Sequence, residues 1–193
     1  MITHIQGRLV EKNPTDVVID CNGVGYLLNI SLHTYSQIAD TEFLKLYTHL
    51  QIKEDSHSLF GFSSIAEREI FRLLISVSGI GSNIARTMLS SLTPKQVREG
   101  IAVGDVGLIQ SIKGIGAKTA QRVIIELKDK VLKIYDIDEV SISKDNTNKD
   151  EALSALEVLG FAKKQAERVV DKIVTSQPDA TVESIIKQAL KNL

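Results

Sequence analysis

The first 62 residues carry apolar positions in short runs broken by turn signals. Ile2–Val10, Val17–Asp20 and Tyr26–Ile30 are rich in Val, Ile, Leu and Tyr, and Asn13-Pro14 and Asn22-Gly23 divide them. His33–Ala39 reads as one short helix. Leu44, Leu46, Thr48, Leu50 and Ile52 then recur at every second position, the period of a half-buried strand, and Leu59–Phe62 reads as its return partner. Five short strands in so short a segment predict a small barrel or sandwich.

From Ser63 the period changes. Ser64 followed by Glu67 is a capping-box pattern, and Ile70, Phe71, Leu74 and Val77 recur at helical spacing. Thr93-Pro94 marks a second helix start, and Val97, Ile101, Val106 and Ile109 carry a helical reading from Pro94 to Ile112. Residues 63–135 therefore read as all-α. Residues 136–150 are polar without an apolar face and read as a flexible linker. Residues 151–193 hold three short helices. The first carries Ala152, Leu153, Leu156 and Leu159 and stops at Gly160. The second carries Ala166, Val169, Val170 and Ile173, and Thr181 opens the third. The fold class expected is a multidomain α+β protein: a β domain over 1–62, a helical domain over 63–135 and a three-helix module over 151–193.

The helical middle repeats itself at an offset of 35 residues. LLISVSGIGSNIARTML begins at Leu73 and LIQSIKGIGAKTAQRVI at Leu108. Gly79, Ile80 and Gly81 match Gly114, Ile115 and Gly116, so one helix–turn–helix unit is used twice. Glycines permit positive φ and let another chain approach the backbone. The helix that follows such a turn begins with free N–H groups and the positive end of its dipole, which together make an anion site. In the first copy the candidate phosphate ligands are Gly79, Ile80, Gly81, Ser82, Asn83 and Arg86. In the second they are Gly114, Ile115, Gly116, Ala117, Lys118 and Arg122. Contacts of this kind hold a backbone without reading bases. The plainer alternative is that each turn only joins two helices and that its Lys and Arg are solvated.

Charge strengthens the anion reading. Residues 1–62 have 4 Lys/Arg against 7 Asp/Glu, residues 63–135 have 11 against 6, and residues 136–193 have 8 against 11. A middle of net +5 lies between two ends of net −3, although the whole chain is only −1. The single cysteine, Cys21, leaves no internal disulfide and suits a reducing compartment. No cysteine cluster or histidine spacing suggests a metal site. MITHIQGRLV is not a signal sequence, and no run approaches the ~18 apolar residues of a membrane span. A cytoplasmic protein is expected. Two enzyme readings compete. GIGSNIA and GIGAKTA both match the G-x-G-x-x-A dinucleotide fingerprint of oxidoreductases, which needs a strand before each turn. Helical hairpins also accompany structure-specific nucleases, which need a carboxylate set for two metals.

The duplicated turns behind a small β domain resemble the tandem helix-hairpin-helix motifs of the RuvA family, the junction-binding subunits of the bacterial branch-migration complex. GRLVEK at 7–12, GVGY at 23–26, KED at 53–55, LFGF at 59–62, GIGAKTAQRVIIELKDK at 114–130 and ALEVLGF at 155–161 carry that resemblance. It implies an OB-type β-barrel, a central tandem helix-hairpin-helix domain and a tethered UBA-like three-helix domain. It implies a homotetramer, able to face a second tetramer as an octamer, on four-way junction DNA, with no nucleotide site or cofactor of its own. It implies a RuvB-type hexameric ATPase as motor, a RuvC-type resolvase as a further partner, and no catalytic role. Glu54 and Asp55 would be acidic pins at the junction centre, and Leu156, Leu159 and Phe161 would contact the motor. Members often carry Lys after the first G-x-G turn. Ser82 and Asn83 stand there in this chain, so the first hairpin should bind more weakly than the second.

Overall fold

Five strands close into a barrel in a computed structural model that describes residues 2–39, 42–132, 148–177 and 180–193. They are β1 (His4–Lys12), β2 (Asp16–Cys21), β3 (Val24–Asn29), β4 (Phe43–Ile52) and β5 (His57–Phe62), in the order β1-β2-β3-β5-β4, with β4 returning to β1. All pairings are antiparallel except a one-pair parallel seam, Asn29 with Phe60. Ile5, Val17, Ile19, Leu28, Ile30, Leu46 and Leu59 fill the barrel, together with Ile38, which follows the short helix α1 (Leu32–Gln37). The alternating runs thus become strands because each buries one face.

β5 is the exception. Leu59 faces the barrel core, whereas Phe60 and Phe62 pack on Phe71 with ring centroids 5.1 and 4.9 Å apart. Phe71 lies in α2 (Ile65–Ile75), the first of five helices completed by α3 (Ser82–Ser91), α4 (Pro94–Val103), α5 (Val106–Gln110) and α6 (Ala117–Leu132). Ile70, Leu74, Met88, Leu89, Val97, Ile101, Ile109, Val123 and Leu127 are their shared core. His49 of β4 meets the same Phe71 edge-on at 5.5 Å. Burial there pushes the His49 imidazole below its ordinary pKa, and the Arg72 charge adds to that, so the neutral ring is the form packed at neutral pH.

Two local expectations change. The helix expected from Pro94 to Ile112 is two helices. Gly104 takes φ 83° and caps α4, and Asp105 accepts from Leu108 N–H to start α5. The Ser64–Glu67 capping box is only half formed. Ser64 accepts from the Glu67 N–H, but the Glu67 side chain points elsewhere. It is fully buried and accepts from Ser31 Oγ, from Thr34 Oγ1 at 2.6 Å, from Ser63 Oγ at 3.2 Å and from Ser63 N at 3.3 Å. Four neutral donors therefore saturate one carboxyl group, and they come from both sides of the barrel–helix junction.

Met1–Asp138 is one compact unit and Glu139–Leu193 a second. The second contains α7 (Asn148–Val158), α8 (Lys163–Ser176) and α9 (Val182–Asn192) around Ala152, Leu156, Ala166, Val170, Ile173, Ile185 and Ala189. α7 begins at Asn148, so the last three residues of the expected linker are helical; the rest of it lies outside the described residues. Gly160 at φ 97° ends this turn, with Phe161 N–H on Leu156 O and Gly160 N–H on Glu157 O, a Schellman closure. No described helix is long and apolar enough to cross a membrane.

Replacing Glu67 with Gln puts an amide where two oxygens now receive four donors. The first unit should lose about 2 kcal/mol, the cost of stranding buried donors, measured by urea unfolding. An unchanged midpoint would show that the cluster does not hold the halves together.

Candidate nucleic-acid interface

The sequence repeat is a structural repeat down to its hydrogen bonds. Ser76 and Ser111 each end a helix with the hydroxyl turned back onto the carbonyl three residues earlier, Leu73 and Leu108, at 2.7 Å in both. Ile80 N–H closes on Val77 O and Ile115 N–H on Ile112 O. Gly79 has φ 97° and Gly114 φ 95°. Ile80 and Ile115 are both 5% exposed and anchor their turns in the core.

The two copies embrace each other. A methyl group added at Gly79 would lie 3.7 Å from Thr119, and one added at Gly114 would lie 3.8 Å from Ile84. Thr119 and Ile84 are themselves 35 residues apart, so each turn packs on the equivalent helix of the other copy. That reciprocity is an approximate twofold relation, and it sets the N-termini of α3 and α6 as a matched pair.

The two glycines of each turn do different work. Only Gly79 and Gly114 use positive φ. Gly81 caps α3 at φ −85° with no side-chain hydrogen bond, and a Cβ placed on Gly81 or Gly116 meets nothing within 4 Å. The fold itself would accept a side chain there. What a side chain would obstruct is an external group approaching the free N–H donors of the next residues.

The expected ligands divide into those that face outward and those that do not. Asn83 and Lys118 are equivalent second residues of α3 and α6, and both are exposed. Lys118 makes no side-chain hydrogen bond or ion pair among the described residues. Ala117 is exposed as well, leaving the α6 terminus open. Lys113 was not singled out from the sequence, yet it is exposed directly before Gly114; its place beside the turn was the available signal.

Three others differ from expectation. Ser82 is buried, and its hydroxyl donates to Gln51 Oε1 at 2.8 Å, so only its backbone remains for a ligand. The Arg86 guanidinium turns onto the barrel, donating to Thr15 O at 3.2 Å and Asn29 Oδ1 at 3.1 Å. Asn29 in turn donates to Leu59 O, so Arg86 braces the barrel's parallel seam. Hydrogen bonds from Asn13 and Thr15 hold the neighbouring Asp16 below the usual carboxylate range, and the Arg86 charge helps. Arg122 remains exposed but donates to Ser78 O at 3.1 Å, tying the second hairpin to the turn of the first.

Glu54 and Asp55 occupy the β4–β5 turn, closed by Lys53 N–H on Ser56 O at 2.8 Å. Both are exposed. In the second unit the three expected contact residues part company. Leu156 is fully buried in the core, because the α7 face that carries it packs on α8 and α9. Phe161 is half-buried against the same core, and Leu159 is 58% exposed beside the exposed Val158.

Neither enzyme reading gains support. Helices α2 and α5 precede the two glycine turns where a dinucleotide fold needs strands. Among the described residues no three His, Cys, Asp or Glu side chains are grouped to hold a metal ion.

Three family models match the chain: the RuvA N-terminal domain over residues 1–61, the SAM-like helix-hairpin-helix tandem over 71–129 and the RuvA C-terminal domain over 147–193. A protein of Flavobacterium psychrophilum is 74% identical over 193 residues, covering all of both chains. One of Christiangramia forsetii is 65% identical with the same coverage. One of Cytophaga hutchinsonii is 49% identical over 198 residues, 99% of each chain. Each of these relatives is named Holliday junction branch migration complex subunit RuvA.

The glycine positions can be separated by experiment. Gly114→Ala should cost the fold about 1 kcal/mol, because alanine resists positive φ. Gly116→Ala should leave the thermal midpoint unchanged and weaken DNA binding about tenfold in a mobility-shift titration. Equal effects of both changes on both readouts would refute the division of labour.

Proposed function

This chain belongs to the RuvA family, and on that premise we propose that it binds four-way DNA junctions, holds them open and recruits a RuvB-type hexameric ATPase that drives branch migration in recombination and repair. The observation that carries this reading is the pair of helix N-termini that follow the glycine turns, matched by the twofold relation of the hairpins and neighboured by an acidic turn. Each hairpin grips one stretch of sugar-phosphate backbone through Gly79–Asn83 or Gly114–Lys118, and Lys113 and Lys118 supply the charge. Arg86 and Arg122 serve as braces that keep the donors in place. The second hairpin grips more strongly, since Lys118 faces the ligand where the first copy has Asn83.

Glu54 and Asp55 act by repulsion. A carboxylate and a phosphate about 6 Å apart repel by roughly 0.7 kcal/mol in water, and by more where solvent is displaced. Continuous duplex laid across the turn incurs that cost, whereas the open centre of a four-way junction avoids it. A homotetramer, alone or as a facing pair, would match the four arms and gather its acidic turns at the crossover. The chain itself carries out no catalysis and acts in the cytoplasm. Leu159 and Phe161 on the second unit offer the surface for the motor, with Leu156 supporting it from the core. A RuvC-type resolvase would act on the junction so held.

Lys118→Ala should weaken binding to junction and duplex alike, about three- to tenfold, and lower the slope of log affinity against log salt by about 0.9. An unchanged slope would remove Lys118 from the interface. Glu54→Gln with Asp55→Asn should raise linear-duplex affinity several-fold relative to junction affinity in the same titration. A constant ratio would refute the repulsive role.

A further inference from the structure

We infer that the hydrogen bond between Ser82 and Gln51 is a clamp that aims the acidic turn, so that the backbone grip of the first hairpin and the repulsion by Glu54 and Asp55 act from one rigid element. The inference rests on the roles proposed above for the hairpins and the turn.

Every residue from Ile52 to His57 is exposed. The end of the β4–β5 hairpin therefore stands clear of the rest of the unit, held by the Ile52–His57 pair and the Lys53–Ser56 bond within itself. A short two-stranded end of this kind has little stability of its own. Its direction is set by the last residues that touch something else. Gln51 is half-buried, pairs with Ser58 across the hairpin and receives the Ser82 hydroxyl at 2.8 Å. Ser82 is the first residue of α3 and lies 8% exposed, so its partner is fixed by packing.

The two hairpin copies support this. The residue equivalent to Ser82 is Ala117, which has no hydroxyl and is exposed. Where the second copy places a free, open terminus, the first places a side chain directed at β4. A grip on phosphate at α3 is thereby joined, through one side-chain pair, to the strand that carries the carboxylates three and four residues further on. Coulomb repulsion depends on distance, so a turn free to swing would discriminate less well between a duplex and an open crossover.

The test uses the full-length protein with a four-way junction and a linear duplex of the same arm sequence, in two backgrounds: native, and Glu54→Gln with Asp55→Asn. In the native background Gln51→Leu should leave junction affinity within about twofold and raise duplex affinity, cutting the junction-over-duplex ratio about three- to tenfold. Ser82→Ala, which removes the donor instead, should cut the ratio likewise. Gln51→Glu keeps an acceptor oxygen for Ser82 and should keep the ratio. With the turn neutralised, Gln51→Leu should change the ratio no further, because an uncharged turn has nothing to aim. A preserved ratio in Gln51→Leu, or an equal drop in both backgrounds, overturns the clamp and leaves the junction reading standing. A native protein that binds both DNAs alike overturns the junction reading and the clamp with it.

Discussion

The Glu67 carboxyl group, fully buried, is reached by hydroxyls from Ser31, Thr34 and Ser63 and by one backbone N–H. A buried carboxyl is costly unless its acceptor positions are filled. Filling them requires the N-terminus of α1, the end of β5 and the first turn of α2 to stand in one arrangement. The Phe60–Phe71–Phe62 cluster lies against the same junction and adds apolar contact that has no directional demand of its own. Together they set where α2 leaves the barrel, and therefore where the first hairpin lies relative to β4. The spacing between the first glycine turn and the acidic β4–β5 turn follows from that.

Duplication copied the scaffold of the hairpin without copying its chemistry. Serine caps, positive-φ glycines and buried isoleucines agree between copies within small differences of angle and distance. Those features determine the fold of the turn. The positions that differ are the ones around it. Ser82 and Arg86 of the first copy are directed to the barrel, and the equivalent Ala117 and Gln121 are not so constrained. The reason is placement: only the first copy's second helix lies beside barrel strands, so its polar side chains find partners within the chain.

Charge is distributed to match. Lys113 and Lys118 beside the second turn are exposed, Arg86 and Arg122 act as braces, and the exposed carboxylates sit on a projecting turn of the acidic barrel. On the proposed reading, attraction and repulsion toward phosphate come from separate elements of the first unit. Such an arrangement selects a shape of DNA rather than a sequence of bases.

Among the described residues the sequence by itself determined the class of the elements, and it determined the repeat. The alternation from Leu44 to Ile52 became β4 and the runs at helical spacing became helices, because burial of one face decides both. It located the glycine turns, since few residues other than glycine tolerate φ near 95°. It did not determine that the Pro94–Ile112 stretch breaks at Gly104, because apolar spacing continues through the break. It gave Glu67 a capping role, whereas two of the partners of its side chain, Thr34 and Ser31, lie 33 and 36 residues away. Arg86 looked like Lys118 in sequence, and only tertiary packing placed Thr15 and Asn29 within its reach. Leu156 and Leu159 are both leucines on one apolar stripe, and only the packing of three helices buried the first and left the second exposed. Local spacing reports which face a residue occupies; what that face meets is decided by segments distant in the chain.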